Sequence, residues 1–109
     1  MDKIRQDLET YIVSIVLFDE SYLNSVSNLL SHSIFQNPQY KIIIDALLSM
    51  HKVNPVNINT ITLINYLKTI NKFDDIGGEP ELVGLQTEIP NKGTTKKLIT
   101  SINKLKALK

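Results

Sequence analysis

Apolar residues recur along this chain at spacings of three and four, the period of an α-helix. Ile4, Leu8, Tyr11, Ile12 and Ile15 mark the first such stretch, and Asp2 is placed to cap its N-terminus. The run from Tyr11 to Phe18 is rich in β-branched residues and would suit a strand. Helical spacing begins before that run and continues through it, so the helix is the preferred reading. The second half of this helix is apolar nearly all round, which means it is central or covered by a partner chain.

A second helix is expected from about Ser21 to Leu30, with Tyr22, Leu23, Val26, Leu29 and Leu30 facing inward. Asn37–Pro38 then restarts the chain, because asparagine caps free N–H groups and proline at the first helical position loses no hydrogen bond. The helix to about His51 carries Ile42, Ile43, Ile44, Ala46, Leu47, Leu48 and Met50. Only Lys41, Asp45 and Ser49 form a polar strip on it, which predicts the central helix of the core. Asn54–Pro55 breaks the chain, and Val56 to Asn59 reads as an extended link. Thr60 is the expected cap of a helix to about Ile70, with Ile61, Leu63, Ile64, Leu67 and Ile70 on its face. Asp74–Asp75–Ile76–Gly77–Gly78 is a turn requiring glycine at positive φ. Pro80 opens a short helix with Leu82, Val83 and Leu85, which Pro90 and Gly93 end. The last helix starts near Thr94 or Thr95 and aligns Leu98, Ile102, Leu105 and Leu108. The expected fold is all-α, a compact orthogonal bundle of about six helices over a single domain, 1–109.

Composition changes this picture little. The chain has 109 residues and is 42% apolar, enough for one ordinary core. It has no cysteine, which excludes disulfides and thiolate metal sites. The N-terminus lacks a basic stretch followed by an apolar core, and Ile15 to Phe18 is far too short to span a membrane. A cytoplasmic protein with no membrane contact is the expectation. At a net charge of +1, nucleic-acid binding would have to come from local clustering.

Catalytic machinery is not visible. Gly77, Gly78, Gly84 and Gly93 are not arranged as a phosphate-binding loop, and none precedes a Lys-Ser or Lys-Thr pair. His32 and His51 lie on different elements without a metal-ligand spacing; a surface cap suits His51, and solvent exposure suits His32. Asp74 and Asp75 read as turn-formers, because a calcium loop spreads its ligands over about a dozen positions. No catalytic, cofactor or metal residue is therefore assigned. After Glu88 the chain is basic, with Lys96, Lys97 and Lys104 flanking the apolar stripe of the last helix. They would suit a weak phosphate-backbone contact, but no aromatic residue is interleaved to stack bases. A solubilising face is the preferred reading.

Taken in order, these features resemble the N-terminal domain of the bacterial replicative DNA helicase, the DnaB family. The likeness begins with Glu9, the apolar run through Phe18, and Asp19. It continues with Phe35, Tyr40–Lys41, Ile43 and Ala46, then Val56–Asn57 with Thr60. Ile76–Gly77–Gly78 with Leu82, Leu85 and Pro90 is its most specific part. Ser14 stands where the family usually has glycine, Tyr40 where it often has histidine, and Asn57 where it has aspartate. Glu81 and Leu98 stand where tyrosine is common, which points to a divergent member, from a phage or mobile element.

The resemblance implies a non-catalytic unit that pairs into dimers and builds the collar of a hexameric ring. That collar recruits primase and influences loading, while the ATPase lies in a C-terminal domain joined through a helical hairpin and linker. The expected partners are thus a second copy, the helicase C-terminal ATPase domain, and primase or a helicase loader. Leu98, Ile102 and Leu105, with Val13, Val16 and Leu17 on the over-apolar first helix, are the candidate interaction residues; the alternative for each is the chain's own core, and for the first-helix residues the core is the preferred reading. The absence of a glycine or asparagine cap near Lys109 suggests either a domain cut from a longer chain or a last helix that continues into a linker. A stand-alone mobile-element protein that binds or regulates a host helicase is the alternative, and a weak DNA-binding module a third.

Overall fold

A computed structural model describes residues 3–54, 58–87 and 95–108. Among these residues six α-helices run in the order α1 (Lys3–Phe18), α2 (Glu20–Val26), α3 (Pro38–Val53), α4 (Thr60–Thr69), α5 (Gly78–Thr87) and α6 (Thr95–Ala107). Single 3-10 turns at His32–Ile34 and Asp74–Ile76 precede α3 and α5. No strand occurs among the described residues, so the β-branched run of α1 is helical. The Cα radius of gyration, 12.8 Å, is that of a compact globule.

Local chemistry sets the boundaries. Asp19 adopts an extended backbone and its Oδ1 accepts the N–H of Ser21 at 2.9 Å, which ends α1 and starts α2. The second helix stops at Val26, earlier than Leu30, because the N–H groups of both Leu29 and Leu30 fold back onto the Val26 carbonyl as a turn. The Asn37 side chain accepts N–H groups from Gln39 and Tyr40, with Pro38 in the first helical turn, as the Asn-Pro signal predicts. The expected Thr60 cap is corrected by one residue. Asn59 caps α4 through a reciprocal pair, accepting from Thr62 N at 3.0 Å and donating to Thr62 Oγ1 at 2.9 Å. Gly77 and Gly78 have φ of +98° and +71°, the left-handed turn between the Asp74–Ile76 turn and α5. That turn places α5's start at Gly78, two residues before Pro80. The Asp2 cap, the Pro55 to Asn57 link and the breakers Pro90 and Gly93 lie outside the described residues.

The centre of the molecule differs from expectation. Helix α1 packs against α2, α3, α5 and α6, whereas α3 packs against α1, α4 and the two 3-10 turns. The central helix is therefore α1, with α3 beside it. Its all-round apolarity follows directly: Ile12, Val13, Ile15 and Val16 are all buried inside the chain's own bundle. On α3 the strip predicted to be polar faces outward, with Lys41 and Asp45 exposed and Ile43, Ile44, Ala46 and Leu47 buried.

Candidate interaction surface

Two polar residues near the start of α1 do something the hydropathy pattern does not announce. Glu9 is fully buried and Arg5 nearly so, and the Arg5 Nε lies 3.1 Å from Glu9 Oε2. One helical turn separates them, so both project from the same face. The Glu9 carboxylate accepts the backbone N–H groups of Gln36, at 3.1 and 3.2 Å, and of Asn37, at 3.0 Å. These are otherwise unpaired donors just ahead of α3. The Arg5 guanidinium donates to the Ile34 carbonyl at 2.7 Å and to the Leu108 carbonyl just beyond α6. One buried ion pair thus fastens α1 to the approach of α3 and to the end of α6. Arg5 thereby supplies one donor to the carbonyls at the end of α6 from across the bundle. Tyr40, also buried, joins the same region through a 2.9 Å hydrogen bond between its hydroxyl and Thr10 Oγ1.

The residues expected to meet a partner are placed as follows. Leu98 and Ile102 are fully buried, and Leu105 is 1% exposed. Val13 and Val16 are equally enclosed, since α1 and α6 pack on each other. In the folded monomer these five are core, not surface: periodicity marks a stripe that must be covered but not what covers it. Leu17 alone of the six keeps partial exposure. Lys96, Lys97 and Lys104 project from the outer side of α6, with Lys97 Nζ 5.1 Å from the centre of the Tyr11 ring.

Exposed apolar side chains lie elsewhere. Ile61 on α4 is 71% exposed, Val83 on α5 48%, and Val53 at the end of α3 88%. Ile61 and Ile70, expected on the apolar face of α4, are both exposed. Inside α4 the buried pair is Leu63 and Leu67, and Ile61 points away from that side. An open cleft of about 350 Å³ at the start of α4 is lined mainly by polar side chains, Asp19, Glu20, Asn59, Thr60 and Gln86, with Leu17 and Ile58. The Gln86 side-chain amide donates to Thr60 Oγ1, tying α5 to the first turn of α4. Glu20 Oε2 accepts the Ile58 N–H at 3.0 Å, tying α2 to the same place.

A second cleft, of about 500 Å³, lies beside the Arg5 anchor and is lined in part by Ser33, Gln36 and Lys106. Among the described residues no group of three His, Asp or Glu side chains is placed to hold a metal ion. No helix there is long and apolar enough to cross a membrane. His32 is exposed, and His51 lies half-buried in the last turn of α3, where a basic residue complements the terminal carbonyls.

The family model described as DnaB-like helicase N terminal domain matches residues 2–104, nearly the whole chain. The chain belongs to that family. No curated protein matches it. The DnaB-like domain is a helicase oligomerisation and interaction unit and is non-catalytic. The run of glutamate, apolar residues and aspartate that carries the resemblance has a structural meaning here. Glu9 pairs with Arg5 and holds the chain before α3, the apolar run fills the core, and Asp19 turns the chain into α2. Ser14, in the middle of that run, is buried with its hydroxyl unpartnered among the described residues.

Proposed function

We propose that this DnaB-like domain self-associates into the collar of a replicative DNA helicase and docks primase or a helicase loader. The family match over residues 2–104 carries the reading. Its physical support is a domain whose apolar core closes on itself while large apolar side chains remain outside, at Ile61, Val83 and Val53. Surface of that kind is stabilised when another protein covers it. The chemistry of hydrolysis and translocation then belongs to the C-terminal ATPase domain of such a helicase, and the collar contributes geometry. Mixing the purified chain with primase and with a helicase ATPase domain, then following elution by light scattering, tests the docking part. A co-eluting complex is expected with at least one of them. Separate elution of every component at high concentration would remove the docking role.

The α6 lysines favour a lesser, second contact, with DNA. Lys96, Lys97 and Lys104 are all exposed on one helix whose other side is buried. Such binding would weaken steeply with added salt, because it is driven by counterion release. Titration with single-stranded DNA at low salt is its test; absence of binding there removes it.

A further inference from the structure

We infer that the cleft between the His32–Ile34 turn and the end of α6 docks an acidic side chain of a partner protein, together with an aliphatic neighbour. This rests on the docking reading above and names the chemistry of the contact. Arg5 forms the floor. Its guanidinium donates to the Ile34 carbonyl on one side and to the Leu108 carbonyl on the other, so it spans the two walls. The side chain is only 10% exposed, yet it borders the cleft, whose 500 Å³ lies within the range of ligand-holding clefts. Lys106, half-buried, stands on the α6 wall and has no ion-pair partner among the described residues. It lies about 200° around the helix from Lys104, so the cleft is separate from the outward lysine face considered for DNA. Ser33 and Gln36, both exposed, add a hydroxyl and an amide donor. Ile34, Leu105 and Leu108 make the apolar part.

Charge decides the class of ligand. Residues 21–44 and 89–109, which supply every lining residue except Arg5, contain no aspartate or glutamate. The nearby carboxylates of α1 are engaged elsewhere. Asp7 is exposed and 3.9 Å from Lys3, and Glu9 is fully buried behind Arg5, accepting the N–H groups of Gln36 and Asn37. Arg5 and Glu9 cancel, so Lys106 leaves the cleft with a single uncompensated positive charge. The carbonyls that end α6 oppose an anion, but Arg5 already donates to that of Leu108. One carboxylate balances a single charge, whereas a phosphate monoester, at about −1.5 to −2 near pH 7, overshoots it. Among the described residues no aromatic side chain lines the cleft, so a nucleotide base has nothing to stack on. The three aliphatic residues suit an aliphatic side chain beside the carboxylate, which a protein segment supplies and a sugar-phosphate chain does not.

Amide NMR of the isotope-labelled full chain, titrated with the peptide acetyl-Ser-Leu-Asp-Leu-Ser-amide and with its Asn counterpart, tests this. The aspartate peptide is expected to move the amides of Ser33, Gln36 and Lys106 with a Kd on the order of 1 mM, and to leave those of Ile61 and Lys68 in place. The asparagine peptide should bind about fivefold more weakly. Arg5 holds the fold through Glu9, so the variant is placed on Lys106. Lys106→Gln should weaken the aspartate peptide about fivefold, and Lys104→Gln should stay within about twofold of the parent, each variant keeping the parent's circular dichroism. Equal binding of the two peptides, or of the parent and Lys106→Gln, overturns the inference. A stronger response of the same amides to inorganic phosphate or to single-stranded oligothymidylate also overturns it and assigns the cleft to phosphate or DNA. If neither peptide moves these amides, the inference falls, and the docking reading is decided separately by co-elution with primase.

Discussion

The first turns of α1 and of α4 break the usual division of charge outside and grease inside, in opposite directions. Helix α1 buries a charged pair, Arg5 and Glu9, while α4 exposes Ile61 and has no charge before Lys68. The buried pair is explained from within the chain, because its hydrogen bonds hold Ile34, Gln36, Asn37 and Leu108. Among the described residues nothing covers Ile61, which is not part of the core. A rule broken toward the interior reports on architecture; a rule broken toward solvent leaves surface open to a partner.

The comparison breaks first at Glu9. Glu9→Gln removes the charge that balances Arg5 and is expected to cost about 3–5 kcal/mol, a large share of a small domain's stability. Urea melts would show it as a sharply lower midpoint. A change within about 0.5 kcal/mol would mean that the pair is replaceable and that α1 is not the anchor. Leu98→Ala comes next, at about 2–5 kcal/mol of monomer stability, the cost of a core cavity. That figure separates core from interface, because a residue reserved for a partner would alter association and leave the monomer's unfolding free energy in place. Ile61→Lys should show the reverse, a stability change within about 0.5 kcal/mol.

Smaller effects refine the α1 side. Ser14→Ala deletes a buried hydroxyl that lacks a partner among the described residues and improves helix propensity. It is expected to stabilise by about 1 kcal/mol, read from thermal melting; destabilisation would contradict the unpartnered reading. Tyr11 gives the smallest signal. Burial, with the neighbouring Tyr22, raises its phenol above the ordinary value of 10.0. The folded chain therefore keeps that proton at pH values where the unfolded chain has lost it, so stability declines as pH climbs past about 10. Melts between pH 8 and 11 should show a shallower decline in Tyr11→Phe than in the parent. Equal slopes would contradict the burial of that hydroxyl.

Much of the fold is legible in the residues themselves. Asn37–Pro38, the Gly77–Gly78 turn and the three-four spacing through α6 each declare a local event, and local events need no knowledge of neighbours. What spacing does not carry is the identity of the covering surface. Val13, Val16, Leu98, Ile102 and Leu105 read equally well as a docking stripe or a core, and only the packing of α6 on α1 decides for the core. The same limit hid Ile61, whose position within a helical pattern suggested burial although its direction differs from that of Leu63 and Leu67. Arg5 and Glu9 were hidden for a different reason. One helical turn apart, they look like a surface pair, and their burial depends on carbonyls and N–H groups far along the chain.

Self-association is the claim on which the collar role depends. Sedimentation equilibrium of the unmodified chain, from low micromolar to several hundred micromolar, tests it most directly. The account predicts a mass that rises with concentration to that of a dimer or larger assembly. A single monomer mass over the whole range would contradict it.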